Sequence, residues 1–435
     1  MRSVIASLLL AACGAGSPVA HPREPPPARM TVALSEGRVD GELVGVSLRS
    51  TRLFPPLVVR NAWRDDAAVP YLVRADQGLV YFDFEDIATR IRFGAEDLAD
   101  PRSPYLHVSE ERVELTGGAW FPVPDAPIFL EVRAELPRSM RILCTGEPDG
   151  DGRWRIPRGT PIAVIGIADA RELRAGRVAL VYDDGWLDEV VAQDLATLAS
   201  RARATFDEAF GPTERGRLTI AMPPREGAGY WTHGLLVVPQ YYAGYGQTTA
   251  AMPEPPSDAP SLAIDVAGLT PESAAGSSAL TAPDEPPLEE VESWRRHAIV
   301  HEVAHEHWHD FPEVDGWLRL DEALAEYAVL LVLEGADRER ALTHHVASLL
   351  TAVLLPDPVQ GAWDPEAYDR GPLFLLALER ATGRERLHGF LRSLRRRRAR
   401  GPVSEEAFLT TLEAELGPEA LALFAEWSPS AQPAR

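Results

Sequence analysis

The chain has 435 residues, of which 45% are apolar and 25% charged, with a net charge of −22 and no lysine. That length exceeds one ordinary core and predicts several domains, and the composition is that of a folded chain. Such an acidic excess repels a polyanion, so nucleic acid is excluded as a predicted partner. The basic run at residues 395–398 lies in a helical stretch and is interpreted as a solvated helix face.

The N-terminus resembles an export signal. An apolar stretch over residues 4–12 leads into the sequence LAAC at residues 10–13, which is typical of a bacterial lipoprotein cleavage site. In that interpretation residues 1–13 are a signal with its lipobox, and the lipidated Cys13 anchors the protein in the cell envelope. The alternative is an ordinary cleaved signal, which would leave the protein periplasmic or secreted. The other cysteine, Cys144, is predicted to be a buried small side chain.

Changes of composition and period divide the rest of the chain. Residues 14–30 are rich in Pro and Ala and are predicted to be a tether. Over residues 31–185 short β-type runs alternate with turn signals, which predicts an antiparallel β domain. A second domain is predicted over residues 186–345, where helical periods dominate, with a Pro-, Ser- and acid-rich insertion at 247–293. Residues 346–435 are predicted to be a helical C-terminal part.

The sequence HEVAH at residues 301–305 has the spacing of a metal site. Residues four apart share one face of a helix, so His301 and His305 can bind the same ion. Zinc held by three protein ligands leaves a fourth position for water and lowers the pKa of that water. Glu302 lies beside His301 and can accept the proton as the water attacks a carbonyl group.

A third ligand is predicted on the next helix, which the pattern places from Trp317 onward. Glu322 and Glu326 are one turn apart among apolar residues, and an inward-facing carboxylate requires a partner. Glu322 is assigned to the metal, and Glu326 is expected to orient a ligand imidazole. Asp321 is a further candidate for a residue that supports the ligands.

Three other histidines share the motif helix. His297 and His309 continue the four-residue spacing, and for each both metal contact and a supporting or surface role are left open. His307 is expected to be structural or exposed. The extended zinc motif with a third histidine is excluded, because Trp308 and Phe311 occupy the positions where it requires Gly and His.

These segments resemble the aminopeptidase-N-like family of gluzincin metallopeptidases. The matching segments are HEVAH at 301–305, WLRLDEALAEY at 317–327, FPVPDAP at 121–127 and YDRG at 368–371. The resemblance implies a thermolysin-like α+β catalytic domain containing the HExxH helix, between an N-terminal antiparallel β domain and a helical C-terminal tail. It also implies one Zn²⁺ per chain, a peptide or protein substrate, and a role for Tyr368 in stabilising the reaction intermediate.

The resemblance fails where the family recognises a free amino terminus. Tyr230, Trp231 and His233 lie where the family has its amine-binding glutamate, and these residues become candidates for substrate contact. Loss of that anchor predicts a zinc peptidase that is not a standard aminopeptidase. The competing hypothesis is a catalytically inactive zinc-binding scaffold that binds peptides or a protein partner at the cell envelope.

Overall fold

Most of the chain outside its two ends and one long internal segment is described by a computed structural model. The described residues are 27–76, 78–99, 106–116, 120–124, 126–136, 139–150, 152–158, 160–213, 216–225, 229–232, 234–240, 288–308, 311, 313–314, 318–354, 366–399 and 401–428. The predictions for Cys13, His233, His309 and most of the insertion at 247–293 lie outside these residues.

The N-terminal half contains two β-sheets. Strands β1 to β13 are Ala28–Ser35, Arg38–Leu53, Val58–Arg64, Ala67–Ala68, Tyr71–Asp76, Leu79–Ala95, Leu106–Val108, Arg112–Leu115, Ile128–Glu135, Met140–Cys144, Glu147–Pro148, Arg153–Ile156 and Val164–Ala168. Nine strands form the first sheet in the order β11-β12-β9-β1-β2-β6-β3-β4, with β5 also on β6, and the second sheet has the order β10-β13-β8-β7. The pairings are antiparallel except that of β1 with β9.

A third sheet positions the motif helix. Strands β14 to β18 are Ala170–Ala175, Val178–Asp183, Leu218–Met222, Tyr230–Thr232 and Leu235–Val237. They lie in the order β14-β15-β16-β18-β17, so β17 is an edge strand. A small core of Ile165, Ile167, Ala221 and Val237 joins this sheet to the second sheet.

Helices occupy the C-terminal half, with a short two-stranded sheet between two of them. Helices α1 to α8 are Glu189–Phe210, Leu288–Trp308, Leu320–Val332, Gly335–Leu354, Gly371–Thr382, Arg384–Arg398, Glu405–Leu416 and Pro418–Trp427. Strands β19 and β20 are Glu313–Val314 and Leu318–Arg319, and a π-helical turn spans Glu366–Arg370. Helices α1, α2 and α3 pack on one another and share the largest apolar core.

Three predicted element boundaries are wrong. The tether ends earlier than residue 30, because Ala28 and Met30 are buried in β1. The insertion ends before residue 293, since α2 begins at Leu288. Helix α3 begins at Leu320 rather than at Trp317, because Leu318 and Arg319 form strand β20 and pair with β19.

Two predicted domain limits also divide the chain in the wrong place. The limit at residue 185 assigns β14 and β15 to the β domain, whereas β15 pairs in parallel with β16 of the third sheet. The limit at residue 345 lies inside α4, which is continuous from Gly335 to Leu354. Both errors have the same origin. A change in composition or hydrophobic period indicates whether a segment is a strand or a helix, but it does not indicate which sheet or core that segment joins. Cys144 is buried in β10, as predicted.

No helix within the described ranges has both the length and the apolar composition needed to span a membrane.

Candidate metal centre

Helix α2 carries the H-E-x-x-H motif into the protein interior. Its apolar residues Ile299, Val300 and Val303 are fully buried in the core shared with α1 and α3, which fixes the rotation of the helix. The four-residue spacing then places His301 and His305 on one face. Their Nε2 atoms face each other at 3.0 Å, so the two imidazoles are directed at the same point.

Glu322 in the first turn of α3 reaches that point from the opposite side. Its Oε2 lies 3.3 Å from Nε2 of His301 and 3.5 Å from Nε2 of His305. Ligands about 2.0–2.1 Å from a tetrahedral zinc lie about 3.3 Å from one another, so these three atoms have the spacing of a His₂Glu site. Burial raises the pKa of Glu322, but the two imidazoles outweigh it and hold the pKa far below its usual value.

Glu326 contacts the other nitrogen of His301. Its Oε1 lies 2.8 Å from Nδ1, so the carboxylate faces that nitrogen and Nε2 remains available for a metal. His297 approaches the second oxygen of Glu326 with Nε2 at 2.9 Å. His297, His301 and Glu326 therefore form a second group of potential ligands. The histidine contacts of Glu326, at 2.8 and 2.9 Å, have hydrogen-bond lengths, whereas those of Glu322, at 3.3 and 3.5 Å, have the spacing of zinc ligands. This difference favours the group containing Glu322.

Glu302 is a buried carboxylate beside the two ligand histidines. Gly229, just before β17, passes it closely: a Cβ atom there would lie 2.8 Å from Oε1, so a larger residue would displace the carboxylate. The other oxygen, Oε2, is buried and accepts no hydrogen bond from the described residues. Burial raises the pKa of Glu302, and the nearby imidazoles only partly offset it. A carboxylate in this environment is suited to accept a proton.

Tyr368 enters the site on the π-helical turn, a backbone form often found at functional sites. Its ring is stacked 6.4 Å from the ring of His301. Burial, the negative charge of Glu322 and a hydrogen bond to Glu322 raise the pKa of the phenol, so the hydroxyl keeps its proton and can donate it in a hydrogen bond. The Arg319 guanidinium lies over the same ring at 5.8 Å.

Asp321 supports the site through the backbone rather than through an imidazole. Its Oδ1 accepts a hydrogen bond from the backbone N–H of Glu322 at 3.0 Å, and Oδ2 lies 3.7 Å from Arg319. Arg319 also contacts Oε1 of Glu322 at 3.3 Å. One oxygen of Glu322 thus faces the arginine, and the other faces the two histidines.

Of the predicted substrate-contact residues on β17, Trp231 has a protein partner. Its indole donates to Oε1 of Glu306 at 2.9 Å, which holds β17 against α2. The Tyr230 hydroxyl is buried, and burial and the charge of Glu114 raise its pKa far above the usual value.

His307 is structural, one of the two roles expected for it. It is buried against the rings of Phe206 and Phe210, and its Nε2 lies 3.2 Å from Oδ1 of Asp207. Burial lowers the pKa of His307 to about 4, so the imidazole is neutral at pH 7.

Two buried charged groups near the site were missed by the sequence reasoning. Arg225 donates from Nε to both oxygens of Glu114, at 2.8 and 2.7 Å, which joins the third sheet to the second. His345 on α4 lies between Glu326 and Asp369. Burial lowers the pKa of His345, but the two carboxylates outweigh it and raise the pKa to about 9. In the sequence, the only feature that pointed to the His345 cluster was the position of Asp369 directly after Tyr368.

Comparisons with known proteins support the fold. No family model and no curated protein matches the sequence. An M1 zinc metallopeptidase from Deinococcus radiodurans superimposes with a TM-score of 0.59 at 16% identity, covering 95% of each chain. A mutant of it, bound to a Tyr-Ser-Ala substrate, gives 0.57 at 17% identity, also covering 95% of each chain. Native yeast LTA4 hydrolase gives 0.56 at 14%, covering 94% of this chain and 68% of that chain. The chain therefore has the fold of the M1 zinc metallopeptidases.

Proposed function

We propose that the protein is a zinc-dependent metallopeptidase. The observation that carries this proposal is the convergence of His301, His305 and Glu322 at zinc-ligand spacing beside the buried carboxylate of Glu302. The M1 fold supports it, because solved structures with this fold include zinc metallopeptidases. One Zn²⁺ per chain is expected at these three residues.

The surrounding residues suit hydrolysis of a peptide bond. Zinc held by the three ligands would lower the pKa of a water and polarise the substrate carbonyl. Glu302 would accept the proton of the attacking water and later transfer it to the leaving amine. Tyr368 keeps its proton because its pKa is raised, so it can donate a hydrogen bond to the developing oxyanion. Glu326 fixes the tautomer of His301, leaving Nε2 for the metal.

We further propose cleavage at positions other than a free amino terminus. An aminopeptidase binds the substrate ammonium group with a carboxylate or amide. On β17, Tyr230 and Trp231 supply neither group. Glu114, the nearby acidic residue of the β half, is neutralised by Arg225. The identity of the peptide products tests this cleavage specificity independently of the zinc chemistry.

The proposed location is the cell envelope, with a lipid anchor at Cys13. The lipobox sequence supports this proposal. The full-length protein should fractionate with membranes, and Cys13→Ser should release it into the soluble fraction. Equal membrane recovery of both proteins would contradict the anchor and leave the peptidase proposal untouched.

The decisive experiment is mass-spectrometric mapping of cleavage in a diverse peptide mixture, with wild type and Glu302→Gln in parallel. We expect internal cuts by the wild type, and a loss of about 10²–10⁴ in rate with zinc retained in the variant. Single residues released from N-termini would instead establish an aminopeptidase. Zinc binding without any cleavage by the wild type would contradict the proposal in favour of the inactive scaffold.

A further inference from the structure

A fully buried glutamate lies at the centre of three imidazoles behind the proposed metal ligands. Glu326 on α3 has Oε1 at 2.8 Å from Nδ1 of His301. Its Oε2 is 2.9 Å from Nε2 of His297 and 3.4 Å from Nε2 of His345. Three helices, α2, α3 and α4, therefore meet at one carboxylate with no solvent exposure.

The contacts continue from this carboxylate to the turn that carries Tyr368. Nδ1 of His345 lies 2.8 Å from Oδ1 of Asp369, so both ring nitrogens of His345 face carboxylate oxygens. The second oxygen of Asp369 accepts a hydrogen bond from Ser348 at 2.6 Å. Asp369 is itself fully buried and is the residue directly after Tyr368. A path thus runs from His301 through Glu326, His345 and Asp369 to the backbone of Tyr368. Its Glu326–His345 step is an ion-pair contact at 3.4 Å, and its His345–Asp369 step is a hydrogen bond at 2.8 Å.

Stability alone gives little reason for such a path. Transfer of charged groups into a protein interior is costly, and well-packed apolar residues in place of a buried ion pair are often neutral or stabilising. What paired charges provide that apolar packing does not is a fixed direction, since each ion-pair contact or hydrogen bond restricts the orientation of both partners. Here the restricted groups at the two ends are His301 and the turn that holds Tyr368.

We propose that Glu326, His345 and Asp369 form a positioning relay that sets the Tyr368 hydroxyl relative to the metal-binding face of His301. This inference rests on the proposed peptidase function. None of the three residues needs to touch substrate: Glu326 orients His301, Asp369 holds the turn of Tyr368, and His345 joins the two carboxylates. The relay links the two groups that act on the same carbonyl oxygen, the metal site and the phenol.

Asp369→Asn and His345→Gln test the relay, with Glu339→Gln as the control. Glu339 is an exposed residue of the same helix, α4. We expect kcat to fall about 10- to 100-fold in the two relay variants with KM within a factor of about two, and the control to retain wild-type kcat. An unchanged kcat in folded Asp369→Asn would overturn the proposal.

A double-mutant cycle separates positioning from a general loss of structure. If Asp369 acts through Tyr368, Asp369→Asn should cost almost nothing further in a Tyr368→Phe background. Additive losses in the cycle would overturn the relay. Should Asp369→Asn fail to fold, Ser348→Ala removes only one hydrogen bond to the same carboxylate. The same cycle with Tyr368→Phe then applies to Ser348→Ala, for which we expect a several-fold fall in kcat. Additive losses in kcat would again contradict the relay.

Binding of Co²⁺ gives a readout that does not depend on peptidase activity. Loss of His345 should loosen Glu326 and, through it, His301, so His345→Gln should weaken Co²⁺ binding about tenfold and alter the visible absorption of the bound ion. Glu339→Gln should leave both unchanged. If the wild type cleaves no peptide, the proposed function fails, and the cobalt measurement still tests the relay. Identical Co²⁺ affinity and spectra in His345→Gln and the control would overturn it.

Discussion

The N-terminal sheet and the helices around the metal site bury their side chains in different ways. The β half encloses an apolar core whose largest side chains include Phe82, Phe93 and Trp120. Helices α2, α3 and α4 also enclose apolar residues, but they hold more buried ionisable groups than the β half, where Glu114 is paired with Arg225. Glu302 and Glu326 are among these groups. In the β half, the burial of apolar side chains stabilises the fold. Around the metal site, burial also fixes the orientation of charged side chains.

The difference implies that the two regions respond differently to substitution. An apolar core loses stability when volume is removed, whatever the function of the protein. A buried polar cluster loses its geometry when one partner is removed, and function depends on that geometry. Substitutions in the β half should therefore change the free energy of unfolding and not metal binding, whereas substitutions at the site should also change metal binding or turnover.

Glu322→Ala should give the largest effect. It removes one of three proposed zinc ligands, so we expect less than one zinc per chain and a fall in turnover of about a thousandfold or more, since metal activation is worth several kcal/mol. Metal analysis and peptide cleavage measure the two quantities. Glu334→Ala, at a carboxylate with 81% side-chain exposure, is the control. Full zinc content in Glu322→Ala would contradict the ligand assignment.

Phe93→Ala tests the other side of the comparison. The Phe93 ring is buried and covers Gly41 so closely that a Cβ atom there would lie 2.2 Å from it. We expect the free energy of unfolding to fall by about 3–5 kcal/mol in denaturant titrations. The zinc content of the folded protein should stay unchanged. Val73→Ala, at an exposed position of the same sheet, should have little effect; zinc loss in Phe93→Ala would show that the two regions are coupled.

The sequence predicted those parts of the structure that depend on local spacing. Helical period places His301 and His305 on one face, and apolar neighbours predict that Glu322 points inward, as the structure has it. The four-residue spacing had left a supporting role open for His297, which lies 2.9 Å from Glu326. The contact of His345 with Glu326, and that of Asp369 with His345, were not predictable. They depend on the packing of α4 and the π-helical turn, and no sequence period encodes such long-range pairing.

The same limitation explains the errors in boundaries. Strands β14 and β15 have the alternation of the β half, yet they pair with β16. Alternation reports which face of a strand is buried and not which sheet the strand joins.

The pH dependence of stability should sharpen the comparison. His345 has a pKa of about 9 in the folded protein, against about 6.5 unfolded. A raised pKa contributes stability that is complete below about pH 6.5 and disappears as the pH rises through 9. This contribution is about 3 kcal/mol, so the wild type should lose that much more than His345→Gln between pH 6.5 and 9.5 in urea unfolding. Parallel pH profiles of the two proteins would contradict a charged His345.

The smallest expected effect concerns a helix end outside both regions. Ser404 caps α7, and its Oγ accepts a hydrogen bond from the backbone N–H of Ala407 at 3.2 Å. Ser404→Ala should lower the free energy of unfolding by about 1 kcal/mol, whereas Ser404→Asp should retain the cap. Neither change should alter turnover or zinc content, because α7 contributes no side chain to the proposed site. A loss of turnover in Ser404→Ala alone would mean that the C-terminal helices position Tyr368. The region that controls the metal site would then extend beyond the buried charged groups of α2, α3 and α4.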